Sequence, residues 1–146
     1  MLATIFLSRG DGMDVENAKI TSVSISMEDH GILTFTIFVR GRGWGCGIGQ
    51  YTNGVGYLGA KEWKGNGSAI VAMMKIMDTV GVSKWEDLIG KYIRVKSDGC
   101  GKTIHCIGNI IDDKWFDLQE FFSADDGHAI YIFNENEDGG NHNDIA

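Results

Sequence analysis

The chain has 146 residues, of which 43% are hydrophobic and 23% are charged, and its formal net charge at pH 7 is −7. These values are typical of a single globular domain that is long enough to bury a core. The excess of acidic residues argues against direct binding of DNA or RNA, which depends on contacts from basic residues to phosphates. A small bound nucleotide remains compatible with this charge, because a local basic pocket can lie in an acidic protein.

The cysteine count and the apolar segments predict the cellular compartment. Cys46, Cys100 and Cys106 are an odd number without metal-ligand spacing, which favours free thiols in a reducing compartment over a zinc or disulfide framework. The apolar segments are too short to span a membrane, and residues 2–7 lack the basic segment of a signal peptide. We therefore expect a soluble cytoplasmic protein with no membrane partner.

The N-terminal part has the alternation of a half-buried antiparallel sheet. In residues 18–27, Val23 and Ile25 alternate with serines, which predicts a strand with one buried face. A turn at residues 29–31 leads to residues 32–40, where β-branched and aromatic residues predict a second strand. Residues 2–7 are a further candidate strand. These segments predict an antiparallel meander.

The segment 41–50 carries glycine at every second position, from Gly41 to Gly49. In an extended strand one face of this segment is bare backbone, and the other carries the larger side chains. Interior glycines weaken a strand and commonly mark the close approach of a ligand or of another backbone. Two interpretations remain open: a ligand or a subunit lies against the bare face, or the segment is a Gly-rich hairpin edge or a face on which a helix sits close.

The residues after Gly67 change to a helical pattern. Large apolar side chains recur at helical spacing and predict a stripe that faces the core, formed by Ile70, Met73, Met74, Met77 and Val80. Ser68 is expected to cap the start of this helix, and Gly81 is expected to end it in a left-handed turn.

Two short helices are predicted from capping signals in the C-terminal half. Ser83 and Glu86 have the spacing of a capping box, which predicts a short helix that ends before Gly90. Asp117 and Glu120 form a second capping signal for a short helix that ends near residue 122.

Residues 91–96 and 103–111 predict a hairpin between these helices. Gly108 is expected to form a bulge in the second strand and to re-aim Asn109. Residues 129–133 are a candidate last strand.

Together these patterns predict an α+β fold with an antiparallel N-terminal sheet, a central helix and a C-terminal hairpin with short helices. A single domain is expected over residues 1–133. Residues 134–146 contain four acidic residues and no basic residue, so we expect an acidic, disordered tail.

The histidines do not combine with a nucleophile or with metal ligands in a recognisable pattern. His105 and Cys106 are neighbours on a predicted strand and therefore point to opposite faces. Asp112 and Asp113 lack further ligands at the spacing that a metal site requires. The sequence therefore predicts no catalytic residues, no metal site and no cofactor, and an enzyme is only the third interpretation of the chain.

Arginines, aromatic residues and polar residues are concentrated on the predicted strands. An arginine fork binds a phosphate or a carboxylate, and an aromatic ring stacks on a base. If the sheet brings them together, the following residues form a nucleotide pocket: Arg40, Arg42, Trp44, Gln50, Tyr51, Tyr92, Arg94, His105 and Asn109. The alternative is an ordinary amphipathic sheet with a polar face.

Several separate segments agree, in order, with the pattern of a known family: His30–Thr34, Gly81–Val82 with Trp85–Leu88, Gly90–Val95, and Ile107–Ile111 with Asp113–Phe116. Over residues 18–122 the chain resembles a widespread family of small tailed-phage proteins. It also resembles the anti-Thoeris sponge proteins of phages, which bind cyclic ADP-ribose isomers made by bacterial TIR enzymes. This resemblance implies a β-sheet with helices, self-association and ligand sites near subunit contacts, with Arg94 and Asn109 as ligand-binding residues. Residues 1–17 and the acidic tail depart from the shorter pattern and leave an added function open.

The residues and the resemblance predict a phage anti-defence protein in the host cytoplasm. It would sequester a small cyclic nucleotide immune signal without catalysis, as a homo-oligomer. The alternative is a protein-binding inhibitor of a host nucleic-acid-targeting defence complex, similar to an anti-CRISPR protein, whose acidic surface would occupy the nucleic-acid groove of its partner.

Overall fold

The computed structural model describes residues 14–27, 29–49, 56–97 and 104–123. Within these ranges the α+β fold is confirmed, because an antiparallel sheet packs against a central helix and short helical segments follow. Several predictions fall outside the described residues: the strands at 2–7 and 129–133, the roles of Gln50 and Tyr51, and the tail at 134–146.

The described strands pair in one antiparallel sheet. In chain order they are β1 (Asp14–Met27), β2 (Ile32–Gly41), β3 (Trp44–Gly49), β4 (Tyr57–Ala60), β5 (Lys64–Gly65), β6 (Tyr92–Ser97), β7 (Ile104–Asn109) and β8 (Trp115–Asp117). The order across the sheet is β5-β4-β2-β1-β6-β7-β8, and β3 also pairs with β2. The helices are α1 (Gly67–Val80) and α2 (Leu118–Ser123), and 3-10 turns lie at Asp29–Gly31 and Trp85–Leu88.

β1 joins the two parts of the sheet that the sequence predicts separately. One edge of β1 pairs with β2 over Lys19–Met27, and the other edge pairs with β6 over Asp14–Lys19. The N-terminal meander and the C-terminal hairpin are therefore a single sheet. Lys19 is the residue at which both pairings meet, so its side chain has a neighbour on each side.

In the segment with alternating glycines, the described residues 41–49 form a two-residue turn that is followed by β3. Arg42 and Gly43 form the turn between β2 and β3, and Gly43 adopts the left-handed φ of 78° that favours glycine. Along β3 the alternation is confirmed, because Trp44 packs against the core and Ile48 is buried while glycines occupy the other face. Among the described residues, a Cβ placed on Gly45 would have only the Val39 carbonyl oxygen within 4 Å, at 3.4 Å.

α1 covers one face of the sheet through its small side chains. Ala69, Ala72 and Ile76 are fully buried in the core cluster. The predicted apolar stripe is confirmed only in part: Met73, Met77 and Val80 pack against the core, whereas Ile70 is 43% exposed and Met74 is 58% exposed. A helix that packs closely on a sheet needs short side chains at the centre of the contact, and this moves the longer ones to its flanks.

The helix ends are set by side-chain and glycine caps. Asn66, and not the predicted Ser68, caps α1, because its side-chain oxygen accepts a hydrogen bond from the Ser68 amide at 3.2 Å. The end at Gly81 is confirmed by its left-handed φ of 94°. The cap at Asp117 is also confirmed, since its Oδ1 accepts a hydrogen bond from the Glu120 amide at 2.9 Å.

The predicted capping box at Ser83 and Glu86 does not form. Lys84 occupies the extended position before the 3-10 turn at Trp85–Leu88, and no side chain caps this turn. Ser83 therefore lies one residue too early for the capping geometry. Gly90 follows with a φ of 88°, as expected for a glycine that ends a helical turn.

β6 and β7 form the predicted hairpin, but the predicted bulge at Gly108 is wrong. The pairing runs without interruption from Arg94 through Gly108 to Trp115, and the register shifts between Lys96 and Ser97 instead. A Cβ on Gly108 would come within 2.5 Å of the Trp115 ring. The residue at 108 is small because the indole of Trp115 lies over it.

Candidate ligand-binding site

The face of the sheet opposite α1 is named the outer face. Ile20, Val39 and Ile93 are buried in the core on the α1 side. Since side chains alternate along a strand, their neighbours point to the outer face. These neighbours are Lys19, Arg40 and Tyr92, and all three are exposed.

The three outer-face residues form one row across three adjacent strands, which we name the cation row. Lys19 on β1 is the direct partner of Arg40 on β2 and of Tyr92 on β6. Directly opposed residues in an antiparallel sheet have Cβ atoms about 4.5–5.5 Å apart. Gly45 on β3 is the partner of Arg40 on its other side, so the row ends on bare backbone.

A β-bulge in β1 lies directly beside the cation row. The register between β1 and β2 shifts between Ile20 and Ser22, which leaves Thr21 as the extra residue. The Ile20 amide donates to the Lys91 carbonyl at 2.8 Å, and the Gly90 amide donates to the Ile20 carbonyl at 2.7 Å. These two hydrogen bonds hold the turn before β6 against β1, next to Tyr92.

An open cleft of about 620 Å³ lies along the cation row. Its floor is β1, one wall is the β2–β3 turn, and the other wall is the turn before β6. The lining residues are Asn17, Ala18, Lys19, Ile20, Thr21, Arg40, Gly41, Arg42, Ile89, Gly90 and Tyr92. The volume lies within the range of about 300–1,000 Å³ that is usual for small-molecule sites.

The charged side chains among the described lining residues of the cleft are all of one sign. Lys19, Arg40 and Arg42 line it, and no carboxylate is among the described lining residues. Lys19 and Arg40 are directly opposed in the sheet, and like charges in this position are expected to destabilise the free protein. The Lys19 Nζ also lies 5.6 Å from the centroid of the Tyr92 ring. An anion bound between the two cations would offset their repulsion.

Three of the predicted pocket residues line this cleft, namely Arg40, Arg42 and Tyr92. Arg42 lies in the β2–β3 turn and Tyr92 begins β6, where it is 58% exposed. Trp44, which the sequence grouped with them, is on the opposite face and packs against the core. The hairpin pairs Trp44 with Gly41, and this places its ring on the α1 side.

Arg94 and Asn109 are neighbours, as predicted, but their polar atoms bind the backbone. The Arg94 Nε donates to the Asn109 carbonyl and its Nη2 donates to the Asp112 carbonyl, both at 2.7 Å. The Asn109 Nδ2 donates to the Thr79 carbonyl at 2.9 Å, and its Oδ1 accepts from the Ile111 and Asp112 amides at 2.9 and 2.8 Å. Both side chains therefore stabilise the β7–β8 loop, which comprises residues 110–114.

His105 lies apart from the cleft, at the other end of β7. Its Nδ1 is 3.7 Å from the Asp117 Oδ2. The adjacent Cys106 is buried, and this burial, with the Asp117 carboxylate next, raises the pKa of its thiol to about 11. The thiol is therefore protonated at neutral pH and is a poor nucleophile.

Lys19 is the central residue of the cleft, and reasoning from the sequence missed it. Its outward position could be read from the alternation of Ala18 and Ile20 around it. Its partners could not be read, because strand register depends on contacts between distant residues and on the bulge at Thr21.

Comparisons with protein-family models, with curated proteins and with solved structures find no match to the chain. In the described ranges, no group of three or more His, Cys, Asp or Glu residues is placed to hold a metal ion. No helix in these ranges is both long enough and apolar enough to cross a membrane.

Proposed function

We propose that the protein binds a small phosphate-bearing nucleotide in the outer-face cleft and retains it without chemical change. The observation that carries this proposal is the direct opposition of Lys19 and Arg40 in a cleft whose described lining has no carboxylate. Two opposed cations cost stability in the free protein. The same two cations stabilise the complex when an anion binds between them.

The residues of the cleft suit the two chemical parts of a nucleotide. The guanidinium of Arg40 donates two parallel hydrogen bonds to a phosphate, and Lys19 adds a point charge beside it. Tyr92 lies two strands from Arg40 and directly opposite Lys19. Its exposed ring offers a surface on which a base can stack. Arg42 in the adjacent turn adds positive potential at the mouth of the cleft.

Cyclic ADP-ribose isomers are the first ligand class to test. They carry a pyrophosphate and an adenine, which match the cations and the aromatic ring of the cleft. The resemblance of the chain to phage sponge proteins favours the same class. A protein that holds such a signal in the host cytoplasm would keep it from its effector, so the proposed role is anti-defence.

Titration calorimetry with cyclic ADP-ribose isomers, adenosine monophosphate and cyclic mononucleotides tests this proposal. Lys19→Gln should weaken binding about ten- to a hundredfold, because it removes one charge-assisted contact to phosphate. Lys84→Gln is the matched control, since it removes the same charge from an exposed position outside the cleft. Chromatography after binding should recover the ligand unchanged.

Two results would contradict the proposal. One is a parent protein that binds none of these nucleotides. The other is a Lys19→Gln variant that binds as tightly as Lys84→Gln. A product in the recovered ligand would show an enzyme instead of a sponge.

A protein-binding role is the second candidate, and Trp63 favours it. Trp63 is 90% exposed, and its φ of 64° is a left-handed conformation that is strained for a bulky residue. An exposed tryptophan on a hairpin turn is a typical anchor for a protein partner. Loss of anti-defence activity in Trp63→Ala, with unchanged nucleotide binding, would support this role over the first.

A further inference from the structure

Asn17 lines the cleft with a side-chain amide that is open to a ligand. The residue is exposed on β1. Within the described ranges its amide makes no hydrogen bond. By contrast, the hydroxyl of Thr21, another polar lining residue, donates to the Phe38 carbonyl at 3.2 Å. The Asn17 amide therefore offers both an NH₂ donor and a carbonyl acceptor to a molecule in the cleft.

The other asparagines of the described ranges support the fold with their side chains. Asn66 caps α1, and its Nδ2 donates to the Tyr57 carbonyl at 2.8 Å. Asn109 donates to the Thr79 carbonyl and accepts from two amides of the β7–β8 loop. Asparagine is depleted in strands, so backbone preference does not account for Asn17 within β1. Its place in the cleft and its open amide favour a role in binding.

The strand register places Asn17 beside the exposed ring of Tyr92. Lys19 is the direct partner of Tyr92, and Asn17 lies two residues before Lys19 on the same face of β1. Diagonal neighbours of this kind are about 7–8 Å apart, so the edge of a base stacked on Tyr92 lies within reach of the Asn17 amide. Arg94, the direct partner of Asn17, donates instead to two backbone carbonyls at the end of β7 and in the β7–β8 loop.

We propose that Asn17 reads the base of the bound nucleotide and selects adenine. Adenine presents an acceptor at N7 beside a donor at its 6-amino group, and an asparagine amide matches this pair with one donor and one acceptor. A 6-oxopurine presents two acceptors there, so the Asn17 carbonyl would face an oxygen without a hydrogen bond. The inference rests on the proposed function of the cleft and adds the class of base that the cleft accepts.

The test compares adenosine 5′-monophosphate with inosine 5′-monophosphate by calorimetry, because the two share ribose and phosphate and differ in the base at position 6. The parent protein should bind the adenosine nucleotide about ten- to a hundredfold more tightly. Asn17→Ala should bring the ratio of the two affinities close to one. Lys19→Gln is the matched control, since it removes a contact to the shared phosphate. It should weaken both nucleotides by a similar factor and keep the ratio of the parent.

The outcomes separate the reading of the base from the proposed function of the cleft. Equal affinities of the parent for the two nucleotides would overturn the role of Asn17 and leave the cleft in place. The same would follow if Asn17→Ala weakened both nucleotides equally and kept the preference of the parent. If the parent binds neither nucleotide, the proposed function of the cleft fails, and the selection of adenine fails with it.

Discussion

At the residue scale, two glycines of the β2–β3 hairpin have opposite surroundings. Gly45 is exposed at the end of the cation row, and within the described ranges a Cβ there would meet only the Val39 carbonyl oxygen within 4 Å. A Cβ on Gly41 would overlap the indole of Trp44, its partner across the hairpin. Gly41 therefore makes room for a packed ring, and Gly45 leaves the outer face open beside Arg40.

The same substitution at these two glycines should change stability in opposite directions. Gly45→Ala should raise the free energy of unfolding by about 0.5–1 kcal/mol, because alanine loses less backbone entropy in a strand. Gly41→Ala should lower it by about 1–3 kcal/mol, because the Trp44 ring must move. Urea denaturation of both variants measures the two changes. A loss of stability in Gly45→Ala would show that the face beside Arg40 is covered.

At the element scale, Asn109 connects the end of α1 to the β7–β8 loop. Its side chain bonds the Thr79 carbonyl and two loop amides, at Ile111 and Asp112. Arg94 closes the same loop from the outer face through the Asp112 carbonyl. The loop is thus positioned by side chains from two different strands, and it in turn holds Trp115 through Asp113.

Asn109→Ala should therefore destabilise the loop. We expect a loss of about 1–3 kcal/mol, because the substitution leaves backbone groups without their partners. Native-state hydrogen exchange should show faster exchange at the Ile111 and Asp112 amides. Gln119→Ala, which removes an exposed amide side chain from α2, is the control and should change neither. Unchanged protection at both amides would contradict the role of Asn109 in supporting the loop.

The elements could be predicted from the sequence where the signal is local. Alternation within residues 18–27 and 32–40 depends on each strand alone, and both strands are present. The buried face of α1 was predicted only in part, because Met73, Met77 and Val80 pack against the core while Met74 is exposed and Ala72 is buried instead. Local periodicity does not show which side of a largely apolar helix meets the sheet.

The candidate site could be predicted only in part, because it depends on register. Arg40, Arg42 and Tyr92 were predicted from their side-chain chemistry, and they line the cleft. Lys19 was missed, because its opposition to Arg40 exists only after two distant pairings of β1 have formed. Trp44 was grouped with the site, and the hairpin turn places it on the core side instead.

At the scale of the whole molecule, apolar surface on β1 supports the predicted self-association. Ile25 is 48% exposed and Met27 is 53% exposed, on the part of β1 beyond its pairing with β6. Sedimentation should show a dimer or a larger assembly at micromolar concentration. Ile25→Lys should weaken the assembly more than Ser22→Lys, which adds the same charge at an exposed position on β1. A monomeric parent would contradict self-association.

Charge is unevenly distributed over the molecule as a whole. The chain has a net charge of −7, yet Lys19, Arg40 and Arg42 converge in one cleft. A local positive potential in an acidic protein attracts small anions and does not favour long nucleic acids. We therefore expect the opposed cations to lower the stability of the free protein and to strengthen the binding of an anion.

The free energy of unfolding of the parent and of Arg40→Gln, with and without nucleotide, tests this claim most directly. Without nucleotide, Arg40→Gln should be more stable than the parent by up to about 1 kcal/mol, because the repulsion with Lys19 is removed. With the tightest nucleotide of the calorimetric panel at a hundredfold excess over the parent dissociation constant, the parent should gain about 2.7 kcal/mol. The variant should then gain only about 0.4–1.4 kcal/mol, if its affinity is ten- to a hundredfold lower. The order of stability should therefore reverse, and a variant that is less stable without nucleotide, or equally stabilised by it, would contradict the claim.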